Sequence, residues 1–317
     1  MSTSIRIGSR GSQLALWQAN HVLEALRSRG HAAEIEVIRT TGDRMQQLGF
    51  VAPPGVDSKG IFIKEIEEAL AEGRIDLAVH SLKDLPTQIS PRFTLAAIPR
   101  RADARDVWVC EAYWALHTLP LGGRIGTTSP RRKAQLLSLR PDVEFVDVRG
   151  NIDTRLKKLA AGECDALVLA AAGLDRLDRA EWVHQRFSPE ELCPAPGQGA
   201  LAIETRSCSH PLDEARDLFV RQVVAGLDHS ETRFCVEAER IALDALGGGC
   251  SVPIGIHCVP ESDRWRVFAQ VVAPDGDSMV ALDTSAPLSI GAEALGQWIA
   301  DELQSRGAPE LLAPSGL

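Results

Sequence analysis

Apolar residues in the first eighty positions follow two spacings in turn. Alternation in Ile5-Arg6-Ile7-Gly8 is typical of a strand, whereas Leu16, Ala19 and Leu23 have the spacing of one helix face. The predicted elements are a strand at Ile5–Gly8, a helix from about Ser12 that ends at Gly30, a strand at Glu34–Ile38, a helix around Phe62–Leu70 and a strand at Ile75–His80. This order indicates a mostly parallel sheet covered by helices.

A second run of the same kind begins near residue 100. Its predicted elements are a strand at Arg124–Thr127, a helix from Ser129 to about Leu139, a strand at Val143–Val148, a helix at Ile152–Ala161 and a strand at Asp165–Ala170. Ser129 suits the N-cap and Pro130 the first helical position. Pro194–Gly199 is expected to lead the chain into a further strand at Ala200–Glu204.

The last third of the chain has a different pattern. A long helix is predicted at Ser230–Leu246, two antiparallel strands at Arg264–Ala273 and Met279–Thr284, and a final helix around Leu295–Leu303. The expected fold class is therefore α/β, with two α/β domains and a smaller C-terminal α+β domain. The predicted domain boundaries are 1–98 with 200–219, 99–199, and 220–317.

Composition and charge restrict the class of protein. The 317 residues are 44% hydrophobic and 24% charged, which is ordinary for a soluble globular protein. The net charge of −9 argues against nonspecific binding to nucleic acid. No apolar run has the length of a membrane span, and the first residues lack the hydrophobic core of a secretion signal. We therefore expect a cytoplasmic protein that binds neither nucleic acid nor membrane.

The seven cysteines are scattered and contain no CxxC pair. This spacing argues against a zinc site and against a disulfide framework, and it favours a reducing compartment. No metal is expected. The cysteines lie at positions 110, 164, 193, 208, 235, 250 and 258.

Basic and polar residues follow the predicted strands of both α/β units, at Arg10, Ser12, Lys83, Arg131, Arg132, Arg149 and Arg155. In open α/β sheets, ligands bind beyond the carboxyl ends of the strands. Arg131 and Arg132 also lie in a first helical turn, where a positive charge costs about 0.3–1 kcal/mol when exposed. Such a set favours an anion site. The alternative is a set of surface arginines, each paired with a nearby carboxylate.

Asp84 is the candidate acid/base group because it directly follows a buried strand, in His80-Ser81-Leu82-Lys83-Asp84. Nearby arginines would keep its carboxylate ionised, so that it can stabilise a cation formed on a substrate. A turn-capping aspartate or a surface pair with Lys83 is the alternative interpretation. We interpret His80 as structural.

Cys250 lies in the segment Leu246-Gly247-Gly248-Gly249-Cys250. Three glycines leave nothing bulky beside the sulfur, which suits a thiol that reacts with a large partner. The same glycines are also typical of a turn after a helix, with Cys250 at the start of a buried strand.

Eight segments, in order from Arg10 to Gly255, together resemble the porphobilinogen deaminase (hydroxymethylbilane synthase) family. They are Arg10–Ala19, Lys59–Glu65, His80–Pro86, Gly126–Arg132, Val148–Asn151, Ala171–Arg176, Pro196–Ala200 and Gly248–Gly255. The set is specific, although any single segment would be a weak signal. The resemblance thins after about residue 260.

The resemblance implies an enzyme that joins four porphobilinogen molecules head to tail, releases ammonia at each step and yields hydroxymethylbilane for tetrapyrrole biosynthesis. It implies a dipyrromethane cofactor bound by a thioether to the cysteine matching Cys250. It further implies a monomer with two domains like type II periplasmic binding proteins, the active site between them, and a third domain that carries the cysteine.

Residue roles follow from the same resemblance. Asp84 would help to protonate the leaving amine, stabilise the substrate cation and handle the pyrrole proton. Carboxylates of the cofactor and substrate would be held by two groups of residues. The cofactor group is Cys250, Lys83, Ser129, Arg131 and Arg132; the substrate group is Arg10, Ser12, Arg149, Arg155 and Arg176.

Two features depart from the family pattern. Gly247 stands where the family often has glutamate, which predicts a looser approach to Cys250. The Gln46–Ser58 stretch, within a predicted loop at Thr41–Lys59, is longer than usual, so its closing would differ if it is a lid.

Two other functions remain open from the residues. A two-lobed anion-binding protein would explain the arginines without catalysis, but not the glycine–cysteine segment or the third domain. A cysteine hydrolase or amidase would use Cys250 as nucleophile and needs a histidine base, for which His229 and His257 are the candidates.

Overall fold

The computed structural model describes residues 4–42, 60–248 and 252–312. Contacts divide the chain into two compact units. The first comprises Met1–Arg101 and Ala200–Arg233, and the second comprises Ala102–Gly199 and Phe234–Leu317. The second unit therefore contains a central α/β sheet together with the C-terminal sheet, and the three boundaries expected from the sequence stay a prediction.

The first unit is built on a five-stranded sheet with the order β2-β1-β3-β10-β4. Its strands are β1 (Ile5–Ser9), β2 (Ala33–Val37), β3 (Leu77–Ser81), β4 (Phe93–Ala97) and β10 (Leu201–Arg206). Strand β1 is parallel to β2 and β3, whereas β10 is antiparallel to β3 and β4. Within this sheet only β10 runs against the others, so the mostly parallel sheet is confirmed.

Helices cover both faces of this sheet. They are α1 (Gln13–Arg27), α2 (Gly60–Ala71) and α6 (Glu214–Ala225). Ile5, Ile7 and Ile203 pack with apolar residues of α1 and α6 on one face. On the other face, Ile66 of α2 packs against Ile75. These two clusters are the core expected of a sheet between helices.

The second unit repeats this arrangement, with the strand order β7-β6-β8-β5-β9. Its strands are β5 (Asp106–Val109), β6 (Arg124–Gly126), β7 (Glu144–Val146), β8 (Ala166–Ala170) and β9 (Val183–Arg186). Its helices are α3 (Pro130–Leu139), α4 (Ile152–Ala160) and α5 (Ala171–Arg176). Strand β6 is parallel to β7 and β8, and β5 is antiparallel to β8 and β9.

The C-terminal part of the second unit is a three-stranded antiparallel sheet with helices on one face, which confirms the α+β domain. Its elements are α7 (Ser230–Ala245), β11 (Ile254–Glu261), β12 (Arg264–Val272), β13 (Met279–Pro287), α8 (Ala292–Ser305) and α9 (Ala308–Leu312). Ile256, Val267 and Ile299 are fully buried in its core. Among the helices in the described parts of the chain, none combines the length and hydropathy of a membrane span.

A buried ionic cluster ties β1, β3 and α6 together in the first unit. The carboxylate of Asp76, which is fully buried, accepts hydrogen bonds from Arg6 Nη2 and Arg216 Nη2, each at 2.8 Å. Burial acts to raise the pKa of Asp76, but the hydrogen bonds from Arg6 and Arg216 outweigh it and lower the pKa to about 2. The charged form of Asp76 therefore stabilises the folded state.

We expect Asp76→Asn to lower the free energy of unfolding by about 3 kcal/mol, because the substitution leaves the partly buried guanidinium groups of Arg6 and Arg216 without their carboxylate. The folded-state pKa of about 2 lies below the ordinary value of about 3.9. The stabilisation from Asp76 is therefore complete above about pH 4 and disappears as the pH falls through 2. Urea unfolding at pH 7 and pH 3 measures both effects.

Asp263→Asn is the matched control, because Asp263 pairs with Arg264 on the surface and its side chain is 79% exposed. This variant should unfold nearly as the parent does. Equal losses for the two variants would show that Asp76 has no special role.

Candidate active site

The carboxyl ends of β1 and β3 lie side by side, because these strands are parallel neighbours with Ile7 paired to Leu77. Arg10 and Ser12 follow β1, and Lys83 and Asp84 follow β3. The structure therefore brings these sequence-predicted residues to one edge of the first sheet, as expected for a ligand site of an α/β sheet.

The turn that carries Asp84 is fixed on both sides. Lys83 and Asp84 belong to a short 3-10 helix at Leu82–Asp84 that directly follows β3. The Ser81 hydroxyl accepts a hydrogen bond from Gln18 Nε2 at 2.9 Å, and the Leu82 N–H donates to the carbonyl of Ala200 at 3.0 Å. Leu82 is buried, whereas Asp84 is exposed. A rigid backbone thus presents an accessible carboxyl group.

Ser12 has a structural contact of its own. Its hydroxyl oxygen is the N-cap of α1 and accepts a hydrogen bond from the backbone N–H of Ala15 at 3.3 Å. A capping hydroxyl keeps its hydrogen, so Ser12 can still donate to an anion.

His80 is structural, as its sequence context suggested. It is buried, and its Nε2 lies 2.9 Å from Glu204 Oε2 on the neighbouring strand β10. This contact joins two strands beneath the Leu82–Asp84 turn.

In the second unit, the carboxyl ends of β6, β7 and β8 also lie at one edge, because these three strands are parallel neighbours. The predicted site residues that follow these strands are Ser129, Arg131, Arg132, Arg149, Arg155 and Arg176. The Ser129 hydroxyl caps α3 by accepting from the Arg132 N–H at 3.4 Å. Arg131 and Arg132 therefore lie in the first turn of α3, where the sequence placed them.

Arg131 and Arg132 are buried and share one carboxylate, that of Asp106. Asp106 Oδ2 accepts from Arg131 Nη2 at 2.7 Å, and Oδ1 accepts from Arg132 Nη2 at 2.6 Å. Only 4% of Arg131 and 6% of Arg132 is exposed, and burial lowers the pKa of Arg131. Ordinary surface pairing therefore does not describe these two arginines.

The charge of this buried group is unbalanced, since two guanidinium cations face one carboxylate. The bonds of Arg132 to Asp106 use Nε and Nη2. Within the residues that the structure describes, no hydrogen bond uses Arg132 Nη1. A ligand carboxylate can therefore bind this atom and complete the charge balance.

Arg176, at the end of α5, is held by a backbone carbonyl. Its Nη2 donates to the Gly199 carbonyl at 2.7 Å, and burial lowers the pKa of Arg176 to about 10. Gly199 has φ +85°, and a Cβ there would lie 2.7 Å from the carbonyl oxygen of Ala102. Only glycine allows this approach of the two chain segments.

Arg149 and Arg155 follow β7 and are more accessible. The Arg149 side chain is 50% exposed, with Nη2 3.9 Å from Asp147 Oδ2. Arg155 Nε donates to the carbonyl of Gly150 at 2.8 Å. The Arg149 guanidinium is held less firmly than those of Arg131 and Arg132, so it can reorient toward a ligand.

Cys250 and the Gln46–Ser58 stretch lie outside the described residues, so their predicted roles stay predictions. The nearby Gly247 has φ +66°, with nothing within 4 Å of the Cβ position. It follows α7 and is typical of a helix end, so the first of the three glycines has a structural function.

The two histidines considered as bases have structural contacts. His229 Nδ1 lies 2.9 Å from Thr232 Oγ1 at the start of α7. His257 Nδ1 lies 3.5 Å from Glu239 Oε1, and Glu239 is fully buried. The contact of His229 is typical of a helix start, and the contact of His257 is with a buried carboxylate and does not itself indicate a hydrolase.

Sequence reasoning missed Asp106. Its signal is present in the sequence, because it is an acidic residue at the start of the apolar stretch Val107-Trp108-Val109. A buried carboxylate needs a partner, and no partner within the protein had been assigned to Arg131 or Arg132.

Two family models and several known proteins match this chain over most of its length. The family model "Porphobilinogen deaminase, dipyromethane cofactor binding domain" matches residues 5–214, and "Porphobilinogen deaminase, C-terminal domain" matches residues 233–305. A porphobilinogen deaminase from Roseiflexus castenholzii is 43% identical and covers 99% of this chain and 100% of its own. One from Acidothermus cellulolyticus is 45% identical and covers 97% and 91%.

Among solved structures, a putative methionine-binding lipoprotein from Bacillus subtilis aligns with a TM-score of 0.41 at 13% identity. It covers 69% of this chain and 90% of its own. A TRAP periplasmic solute binding protein from Desulfovibrio salexigens aligns with a TM-score of 0.43, also at 13% identity, and covers 74% and 75%.

We expect Gly199→Ala to destabilise the second unit and to displace the carbonyl that holds Arg176, because the new methyl group meets the Ala102 carbonyl. Gly162→Ala is the control, since Gly162 also has positive φ (+73°) but nothing within 4 Å of its Cβ position. Gly162→Ala should cost about 1–2 kcal/mol from its backbone conformation alone. Thermal unfolding should show a clearly larger loss for Gly199→Ala; equal losses would contradict the close approach.

Proposed function

Since the chain belongs to the porphobilinogen deaminase family, we propose that Asp84, the strand-end arginines and Cys250 carry out the reaction of this family. The enzyme joins four porphobilinogen molecules head to tail, releases ammonia at each step and yields hydroxymethylbilane for tetrapyrrole biosynthesis. The family model that matches most of the chain is a dipyrromethane cofactor-binding domain, so dipyrromethane is the cofactor.

One observation supports the assignment of residues most strongly. Arg131 and Arg132 are buried beside a single carboxylate and leave a net positive charge at the carboxyl ends of parallel strands. A pyrrole chain carries carboxylates on every ring, so this donor set suits such a ligand. Neither a hydrolase nor a protein without catalysis is favoured by the family match.

The chemistry of the donors fits the cofactor. Ser129, Arg131 and Arg132 would hold its carboxylates in the second unit, and Lys83 would hold one from the first unit. Cys250 would bind it through a thioether. When bound, the cofactor supplies the pyrrole ring to which the first substrate is joined. Buried arginine forks orient their ligands, because the guanidinium group is planar and its donors have fixed directions.

Carboxylates of the incoming substrate and growing chain would bind the remaining set, Arg10, Ser12, Arg149, Arg155 and Arg176. The side chains of these residues differ in how far they can move. Arg176 is buried against a backbone carbonyl, whereas Arg149 is half-exposed. A set that combines fixed and adaptable donors suits a ligand that grows in length. We therefore expect each arginine to serve particular elongation steps.

Asp84 would act on the reacting atoms. As an acid, it donates a proton toward the amine that leaves the substrate as ammonia. As a carboxylate, it then stabilises the positive charge left on the substrate and accepts the pyrrole proton after the new carbon–carbon bond forms. Its exposure and the fixed Leu82–Asp84 turn support this role, because proton transfer requires access and a constant position.

A cytoplasmic monomer is part of the proposal. The free thiols among the described residues, namely Cys110, Cys164, Cys193, Cys208, Cys235 and Cys258, support a reducing compartment. Family resemblance supports the monomeric state.

Asp84→Ala should lower turnover by at least about a hundredfold while the protein remains folded, because a positioned acid/base group contributes about 10²–10⁴-fold. Ammonia release measures turnover, and circular dichroism measures the fold. Glu72→Ala is the control, since Glu72 is an exposed partner of Arg74 in the same unit. Turnover of Asp84→Ala close to that of Glu72→Ala would refute the role of Asp84.

Cys250→Ser should prevent covalent binding of the cofactor. Intact-mass spectrometry of the parent should show the sequence mass plus one dipyrromethane, and the variant should show the sequence mass alone. Cys208→Ser is the matched control, because Cys208 is an exposed free cysteine and should leave the added mass in place. An adduct that persists in Cys250→Ser would place the attachment elsewhere.

A further inference from the structure

Asp106 has no role in the proposed reaction steps, but it contacts both arginines that follow β6. Its Oδ1 accepts from Arg132 Nε at 3.0 Å and from Arg132 Nη2 at 2.6 Å. Its Oδ2 accepts from Arg131 Nη2 at 2.7 Å. Asp106 is fully buried at the start of β5, so it reaches the ligand only through these arginines.

We propose that Asp106 is a positioning residue, which fixes the direction in which Arg132 presents Nη1 and limits the arginine pair to one ligand carboxylate. This inference rests on the proposed function, in which Arg131 and Arg132 hold cofactor carboxylates. It adds a residue to that site and states how many carboxylates the pair takes.

Geometry supports the positioning role. A guanidinium group is planar, so two bonds to one carboxylate, from Nε and Nη2 of Arg132, fix the plane and therefore the direction of Nη1. An arginine side chain loses up to about 2 kcal/mol of rotamer entropy when it is held in one conformation. Because Asp106 imposes that order before the ligand binds, the ligand does not have to.

Charge supports the limit of one carboxylate. Arg131 and Arg132 carry two positive charges, and Asp106 cancels one of them. One ligand carboxylate then makes the buried group neutral, whereas a second would leave it with an excess negative charge in a site of low polarity. Without the carboxylate of Asp106, the two guanidinium groups would repel each other and turn apart.

Asp106 itself is held in place by further contacts. Gln198 Nε2 donates to Asp106 Oδ1 at 3.0 Å and to the Ala104 carbonyl at 2.7 Å. Arg131 Nη1 donates to the Cys193 carbonyl at 2.6 Å, so Arg131 uses both terminal nitrogens within the protein. Arg131 is therefore the more constrained of the two arginines, and Arg132 presents its remaining nitrogen to the ligand.

The test compares Asp106→Asn, which keeps the shape and removes the charge, with Asp103→Asn. Asp103 is the matched control, because it pairs with Arg105 at 2.7 Å and Arg186 at 2.9 Å and contacts neither site arginine. Each full-length protein is produced in cells unable to make porphobilinogen and is then titrated with porphobilinogen. Intact mass measures the fraction that carries the cofactor.

For Asp106→Asn, the porphobilinogen concentration that loads half of the protein should rise by about tenfold or more, as for a lost contact to a charged group. Turnover per loaded molecule should change much less, because the proposed proton transfers take place at Asp84 and Asp106 contacts only the arginines that hold the cofactor. Asp103→Asn should load as the parent does. A lower melting temperature for Asp106→Asn with unchanged half-loading would mean a purely structural role and would overturn the proposal.

A third variant, Arg132→Ala, shows whether a failure concerns the role of Asp106 or the proposed function itself. If Arg132→Ala loads normally, the assignment of Arg132 to a cofactor carboxylate fails. If Arg132→Ala loads poorly while Asp106→Asn loads normally, the proposed function stands and the positioning role of Asp106 fails.

A measurement on the parent protein covers the case in which Asp106→Asn does not fold. The Nε–H hydrogen of Arg132 is observed by ¹⁵N NMR, and its signal is assigned by its loss in Arg132→Lys. This hydrogen should exchange with water much more slowly than the Nε–H hydrogen of the half-exposed Arg149. Equally fast exchange for the two arginines would show that Asp106 does not hold Arg132 and would overturn the proposal.

Discussion

The contact of one buried carboxylate with two guanidinium groups is the constraint on which the candidate site of the second unit depends. Charges that are removed from water need partners, and Asp106 supplies one for both Arg131 and Arg132. The remaining positive charge is stable in the fold only because these arginines are tied to β5 and to the Cys193 carbonyl. The excess positive charge thus lies in the packed interior and not on the exposed surface.

The two α/β sheets share one feature of strand order. Each places three parallel strands side by side, so that the segments after them meet at one edge. In the first sheet this edge presents an exposed aspartate on a rigid turn, and in the second it presents buried arginines. In the proposed function, the same topology separates proton transfer at Asp84 from the binding of carboxylates, and each environment suits its task.

Periodicity predicted most of the regular elements, because helices such as α1 have one clear apolar face and strands such as β3 are a continuous run of mostly apolar, buried residues. The strands that it missed are β4, β9, β5, which begins with the buried Asp106, and β11, which contains Gly255 and Pro260. It also missed α6, where Leu218 and Phe219 are exposed and blur the apolar face. In each case tertiary contacts decide the structure against the local signal.

The sequence placed the candidate residues after the strands, where the structure also has them, but it did not predict their pairings within the protein. The sequence places Arg131 and Arg132 at a helix start, yet the partner Asp106 is distant in the chain and reaches them only through the sheet. Similarly, the sequence around Gly199 is typical of a turn. The Gly199 carbonyl accepts a hydrogen bond from Arg176 only in the folded unit. Such contacts depend on strand order, which a single sequence does not state.

Arg176 and Arg132 are anchored by different kinds of acceptor, and this difference bears on how the site responds to acidity. A backbone carbonyl such as that of Gly199 does not take up a proton under ordinary conditions, so its hold on Arg176 is the same in acid and in base. A carboxylate such as that of Asp106 becomes neutral once protonated. The contact of Arg132 with Asp106 therefore depends on the charge of the carboxylate, whereas the contact of Arg176 with the Gly199 carbonyl does not.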